Sequence, residues 1–187
     1  KNLDIALNKK EIKLPDNYQI TAFGDSLVVG IGDSGGGFVA DLENALGKSI
    51  LNLGVSGDTT IDGVDRLNQI PTEADLVIIS LGGNDIIKKI PHGESQSNLE
   101  IITKSISERG AYVLLLDVRP PLFGGDMKDV YETVADNNES VFLVPAVMSG
   151  ILGNSRLSAD PIHPNSEGYQ IMADRIIEIF NKNFTTI

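Results

Sequence analysis

Five short apolar runs, separated by stretches of helical periodicity, constrain the fold of this chain more than any other feature. They are residues 20–23, 50–53, 76–81, 112–118 and 141–144. The third is rich in β-branched residues, as a strand buried on both faces should be. Between the runs, Phe38, Val39, Leu42, Ala45 and Leu46 recur at helical spacing, and Gly47 is a stop signal. Ile61, Val64, Leu67 and Ile70 predict a helix ending before Pro71. Ser97 with Glu100 resembles a capping box, and Ile101, Ile102, Ser105, Ile106 and Arg109 carry that helix to Gly110. A weaker helical pattern covers 128–137. Tyr169, Met172, Ala173, Ile176, Ile177 and Phe180 share one face of a last helix. Strands alternating with helices predict an α/β fold, a parallel sheet covered on both faces. In such sheets the functional loops gather at the carboxyl ends of the strands.

The length, 187 residues, is that of one domain spanning 1–187, with residues 1–16 a polar N-terminal lead-in or short surface helix. No apolar run approaches the ~20 residues needed to span a bilayer, so no transmembrane segment is expected. The net charge of −11 disfavours a nucleic-acid partner, which needs a basic face. The chain has no cysteine, so thiol catalysis, disulfides and cysteine metal sites are excluded. It begins at Lys1 without a signal-peptide pattern. If a leader has been removed, a periplasmic or secreted location is favoured.

Four clusters sit where the topology rule puts function. Gly24-Asp25-Ser26 follows the first run, Gly54-Val55-Ser56-Gly57-Asp58-Thr59 the second and Gly82-Gly83-Asn84-Asp85 the third. Asp160-Pro161-Ile162-His163-Pro164 precedes the last helix. A serine hydroxyl is a weak nucleophile until a base takes its proton. Ser26 is the candidate nucleophile, and His163, one of two histidines, is the candidate base. Its second ring nitrogen needs an orienting acceptor, and Asp160, three residues earlier, can reach it through a turn stiffened by Pro161 and Pro164. The oxyanion of an acyl-transfer intermediate needs donors. The backbone N–H groups of Ser26 and Gly57 and the side-chain amide of Asn84 can supply three.

Together these clusters resemble the sequence blocks of the SGNH (GDSL) hydrolase family, in order and in rough spacing. Gly24-Asp25-Ser26-Leu27 matches the first block, Gly57 the second, Gly82-Gly83-Asn84-Asp85 the third and Asp160-x-x-His163 the fifth. The chain is most similar to the bacterial thioesterase/arylesterase/lysophospholipase group, through residues 54–59 and Arg119-Pro120-Pro121. The resemblance implies a three-layer α/β/α fold with a five-stranded, flavodoxin-like sheet of order 2-1-3-4-5. It implies signature residues Ser26, Gly57, Asn84 and His163, with Asp160 completing a triad, and no metal or cofactor. The implied activity is hydrolysis of small-molecule carboxylic esters or thioesters through an acyl-enzyme on Ser26. Residues 85–91, read as a loop, carry Lys88, Lys89 and Pro91 where the family shapes its acyl site. The sequence lacks the Gly-x-Ser-x-Gly elbow of the α/β-hydrolases.

Two other functions fit these residues less well. A carbohydrate O-acetyl esterase would stack sugar rings on aromatic side chains, yet the chain has no tryptophan and only 5% aromatic residues. An inactive binding protein of the same fold would not need every catalytic residue type. Asp25 and Asp85 read as structural acceptors for loop backbone, Asp58 as structural or supporting, and His92 as an exposed turn residue. Lys88 and Lys89 read as a solvated pair. Gly30-x-Gly32-x-x-Gly35 imitates a dinucleotide fingerprint, but it starts seven residues after Phe23 and no acidic residue ends the second run. It reads instead as flexible lining or a turn beside Ser26. Val28, Val29, Phe123, Met148, Ile151 and Leu152 are candidate acyl-groove residues.

Overall fold

The computed structural model describes residues 12–119 and 127–186. Strand β1 (Ile12–Leu14) leads to β2 (Ile20–Gly24), which turns directly into a four-residue helix, α1 (Ser26–Val29). Next come α2 (Gly37–Leu46), β3 (Ile50–Gly54), α3 (Thr60–Asp65), β4 (Leu76–Ser80), α4 (Gly83–Lys88) and α5 (His92–Ser107). They are followed by β5 (Tyr112–Leu116), α6 (Met127–Asp136), β6 (Val141–Val144), α7 (Ser166–Asn183) and β7 (Phe184–Thr186). Strands β2 to β6 form one parallel sheet in the order β3-β2-β4-β5-β6. Counting only those five strands, this is the expected order 2-1-3-4-5.

Burial explains the sequence pattern. Every residue of β2 and β4 is buried, so these central strands read as continuous apolar runs and do not alternate. β3 lies at the sheet edge and leaves Leu51 and Asn52 exposed. Helices α2 and α7 pack on each other, and α5 packs on both α3 and α6, covering the sheet. Fully buried Leu76, Ile78 and Ile79 centre the core, each worth about 1.5–3 kcal/mol on transfer from water.

Four sequence expectations need correction. Residues 12–14 of the expected lead-in form a strand, paired in parallel with β7. There Phe184 packs against Phe142 and Phe180 with ring centroids 4.9 and 5.3 Å away. The predicted helix over 61–70 stops at Asp65, and residues 67–69 make a single 3-10 turn. Helix α5 starts at His92, so Ser97 lies inside it and its hydroxyl donates to the Gly93 carbonyl at 2.8 Å. Hydrophobic periodicity missed this start because the first turns bury polar side chains, Ser95 and Asn98. The stretch after Asn84 is helical through Lys88, not a loop.

Close approach at the carboxyl end of β2 fixes one glycine. A Cβ at Gly24 would stand 2.1 Å from the Ser80 carbonyl oxygen and 2.9 Å from a Val28 methyl. Both strands are buried and paired, so neither backbone can yield. Gly24→Ala is predicted to lower unfolding free energy by at least about 2 kcal/mol, measured by urea denaturation. An unchanged transition midpoint would contradict this packing.

Candidate active site

Ser26 owes its place to a sharp strand-to-helix junction. Asp25 stays extended and caps α1, its carboxylate accepting from the Leu27 N–H at 3.0 Å. The helix then ends after one turn, because Gly30 adopts a left-handed φ of +83° and its N–H closes on the Ser26 and Leu27 carbonyls. Ser26 is therefore the first helical residue beyond a central strand.

His163 is held by the turn that precedes α7. One Asp160 carboxylate oxygen accepts from the backbone N–H groups of Ile162 and His163, each at 2.8 Å. The other lies 2.7 Å from His163 Nδ1. A carboxylate only accepts, so Nδ1 carries the proton and Nε2 is left as an acceptor. That Nε2 faces Ser26 Oγ at 2.9 Å. Partial desolvation pushes the Asp160 carboxyl upward. The hydrogen bonds from the His163 ring and the two backbone N–H groups outweigh it and hold the group below its usual range.

The glycine-rich loop locks these two segments together. A Cβ at Gly32 would lie 2.3 Å from the Pro164 carbonyl oxygen and 3.3 Å from His163 Cβ. Glycine thus lets the loop after Ser26 lie against the turn bearing His163. Ser166 donates its hydroxyl to the Asp33 carboxylate, and Tyr169 donates to the Ile31 carbonyl at 2.7 Å. This loop is the turn beside Ser26 that the sequence suggests.

The expected oxyanion donors Gly57 and Asn84 stand on the β3–α3 turn and on α4. The side-chain amide of Asn84 donates to the Asp58 carbonyl at 2.9 Å and approaches the Asp25 carboxylate at 3.4 Å. Gly57 has φ +88° in a turn closed by the Asp58 N–H on the Val55 carbonyl at 3.2 Å. Asp85 is fully buried and accepts from the N–H and hydroxyl of Thr60 and from the Ser95 hydroxyl. Asp58 pairs with Arg66, whose guanidinium also donates to the Leu53 and Gly24 carbonyls at 2.9 and 2.8 Å. Arg66 thereby ties the ends of β3 and β2 to the turn. Asp25 and Asp85 thus accept from backbone N–H groups, as expected, and Asp58 holds an arginine.

Ser26, His163 and Asn84 open onto one cleft. Its apolar wall is Leu27, Ile87, Val118, Met148, Leu152 and Ile162. Of the expected groove residues, Met148 and Leu152 are there, whereas Val28 and Ile151 are buried in the core and Val29 is partly exposed away from the lining. Phe123 lies outside the described residues. Gly57 and His92 are not among the lining residues, and His92 opens α5 on the surface. Among the described residues, no group of three or more His, Asp or Glu side chains is placed to hold a metal ion.

Residues 22–171 match the GDSL-like lipase/acylhydrolase family. The chain belongs to that family. It is 35% identical to esterase TesA of Pseudomonas aeruginosa, over 75% of this chain and 77% of that protein. An arylesterase of Vibrio mimicus is 31% identical, over 73% of this chain and 72% of that one. A crystal structure of TesA superimposes with a TM-score of 0.80 at 29% identity, covering 88% of this chain and 98% of the other. The chain is a GDSL carboxylic ester hydrolase, and the resemblance read from its four clusters holds.

Sequence reasoning missed Arg66, Thr60 and Ser95, because nothing in the local pattern signals which distant carboxylate each will meet. It also missed the cleft residues Leu27, Ile87, Val118 and Ile162. Buried Asp25 yields a pH prediction. Desolvation outweighs the donors from Leu27 and Ser80, and the nearby Asp58 charge adds to it, raising the Asp25 carboxyl from 3.8 to about 7. Between those values the folded chain keeps a proton that the unfolded chain has lost. Asp25 therefore stabilises the fold most below about pH 4, and that contribution falls as pH rises toward about 7. The difference in unfolding free energy between wild type and Asp25→Asn is predicted to shrink by a few kcal/mol, roughly, across that window in urea titrations. A difference that stays level would contradict the shift.

Proposed function

We propose that this GDSL hydrolase cleaves carboxylic esters or thioesters by forming an acyl-enzyme on Ser26, as a single domain and without a cofactor. The observation that carries the reading is the continuous line Asp160 Oδ2–His163–Ser26 Oγ, with contacts of 2.7 and 2.9 Å. Ser26 Oγ attacks the acyl carbonyl carbon while its proton passes to His163 Nε2. Asp160, accepting from Nδ1, stabilises the imidazolium that forms. The carbonyl oxygen becomes an oxyanion and takes hydrogen bonds from the Ser26 and Gly57 N–H groups and the Asn84 amide. Removing one such donor typically costs about 10²–10³ in kcat.

Collapse of the tetrahedral intermediate breaks the bond to the leaving alkoxide or thiolate, which receives the proton from His163. Water then gives a proton to His163 and attacks the acyl-enzyme. The acid leaves, and Ser26 recovers its proton. The acyl portion of the substrate rests against the apolar wall of Leu27, Ile87, Val118, Met148, Leu152 and Ile162. The esterase relatives favour neither the carbohydrate O-acetyl esterase nor the inactive binding protein.

A chain-length series of chromogenic acyl esters tests the proposal. Wild-type protein should turn over at least part of the series, and Ser26→Ala or His163→Ala should lose about 10³-fold or more in kcat. Turnover by Ser26→Ala at the wild-type rate would contradict the assignment. Activity confined to acetylated sugars would contradict the substrate class.

A further inference from the structure

We propose that Lys88 is a positioning residue for the oxyanion donors, its ammonium group fixing the turn that carries Gly57. The inference rests on the reading above, in which the Gly57 N–H receives the oxyanion.

Gly57 is poorly held by packing. It is exposed, its φ is +88°, and a Cβ placed on it would meet nothing within 4 Å. A glycine in that situation has wide backbone freedom, yet an oxyanion donor must be aimed before the reaction starts. Hydrogen bonds on either side of Gly57 supply the restraint. The Val55 N–H donates to the Gly24 carbonyl at 2.9 Å, anchoring the turn to the end of β2. Lys88 Nζ donates to the Gly57 carbonyl at 3.0 Å. Asn84 Nδ2 donates to the next carbonyl, that of Asp58, at 2.9 Å.

Two of these three donors come from α4, four residues apart and so on one face of it. That helix is rigidly seated. Asp85 binds Thr60 and Ser95 in the interior, and the Lys89 and Ile90 N–H groups close on carbonyls of residues 85 and 86. Lys88 therefore extends an exposed tip from a fixed root. Asp62, which caps α3 together with Thr59, adds an attraction for the ammonium group on the same side. A cation donating to a carbonyl makes a stronger hydrogen bond than a neutral donor does. Asn84 and Gly57, two donors from separate elements, are thus clamped to each other by residues of one helix.

An aimed donor acts in the transition state and adds little to ground-state binding, so its misalignment appears in kcat and not in KM. Kinetics on a short chromogenic ester, with thermal melts, test the proposal in Lys88→Met, Lys88→Arg, Asn84→Ala and Ser26→Ala. Lys88→Met should lose roughly tenfold in kcat, less than the cost of deleting a donor. Its KM should stay near wild type and its melting temperature should be unchanged. Lys88→Arg, which keeps a charged donor, should regain most of the rate. A wild-type kcat in Lys88→Met would overturn the proposal. So would a raised KM with kcat intact, which would place the lysine on the substrate, or equal losses in the Met and Arg variants. If Ser26→Ala and Asn84→Ala collapse while Lys88→Met does not, only the role of Lys88 fails. If Ser26→Ala or Asn84→Ala keeps the wild-type rate, the reading of the site fails with it.

Discussion

The hydrogen bond between Ser26 Oγ and His163 Nε2 joins residues 137 positions apart and is 2.9 Å long. Nothing local can create it. The parallel sheet brings Ser26 to the carboxyl end of a central strand, and α7 brings the turn bearing His163 over the same edge. What aligns them is the docking of one loop on another. Gly32 lies against the Pro164 carbonyl without a side chain between them. Ser166 reaches Asp33, and Tyr169 reaches the Ile31 carbonyl. The loop that imitates a cofactor fingerprint is the part that sets Ser26 against His163.

The placement of Asn84 and Gly57 depends on a different constraint, the need to satisfy buried carboxylates. Asp85 has no exposure and is acceptable there only because Thr60 and Ser95 donate to it. Those bonds fasten α4 to the start of α3 and to α5, and Asn84 and Lys88 ride on α4. Arg66 answers Asp58 and takes two strand-end carbonyls with it. Among the described residues, no buried side-chain polar atom is left without a partner. The polar network costs desolvation, and in exchange it leaves few alternative positions for the turn that carries Gly57.

Much of this was legible in the sequence, for physical reasons. The buried strands β2 and β4 announce themselves as apolar runs, and the strand order is the one that the resemblance to the SGNH family implies. Ser26 and Asn84 stand in short local motifs at strand ends, Asp160 and His163 in one just before α7, and the structure brings them to one edge. What was hidden depends on contacts distant in sequence. The beginning of α5 was hidden because its inner face is polar, turned toward Asp85. Helix α4 reads as a loop in the sequence because fewer than two turns separate Gly82 from the left-handed Lys89. Residues 12–14 looked like a lead-in because their partner, β7, lies at the other end of the chain. Lys88 reads as a solvated charge and Arg66 carries no signal, because no sequence pattern names the carbonyls they meet.

The central claim is that Ser26 is made nucleophilic by His163. A serine-reactive phosphonate tests it most directly, with the adduct located by peptide mass spectrometry. The account predicts a single adduct, on Ser26, and labelling slowed by orders of magnitude in His163→Ala. An adduct on any other residue, or labelling of His163→Ala at the wild-type rate, would contradict it.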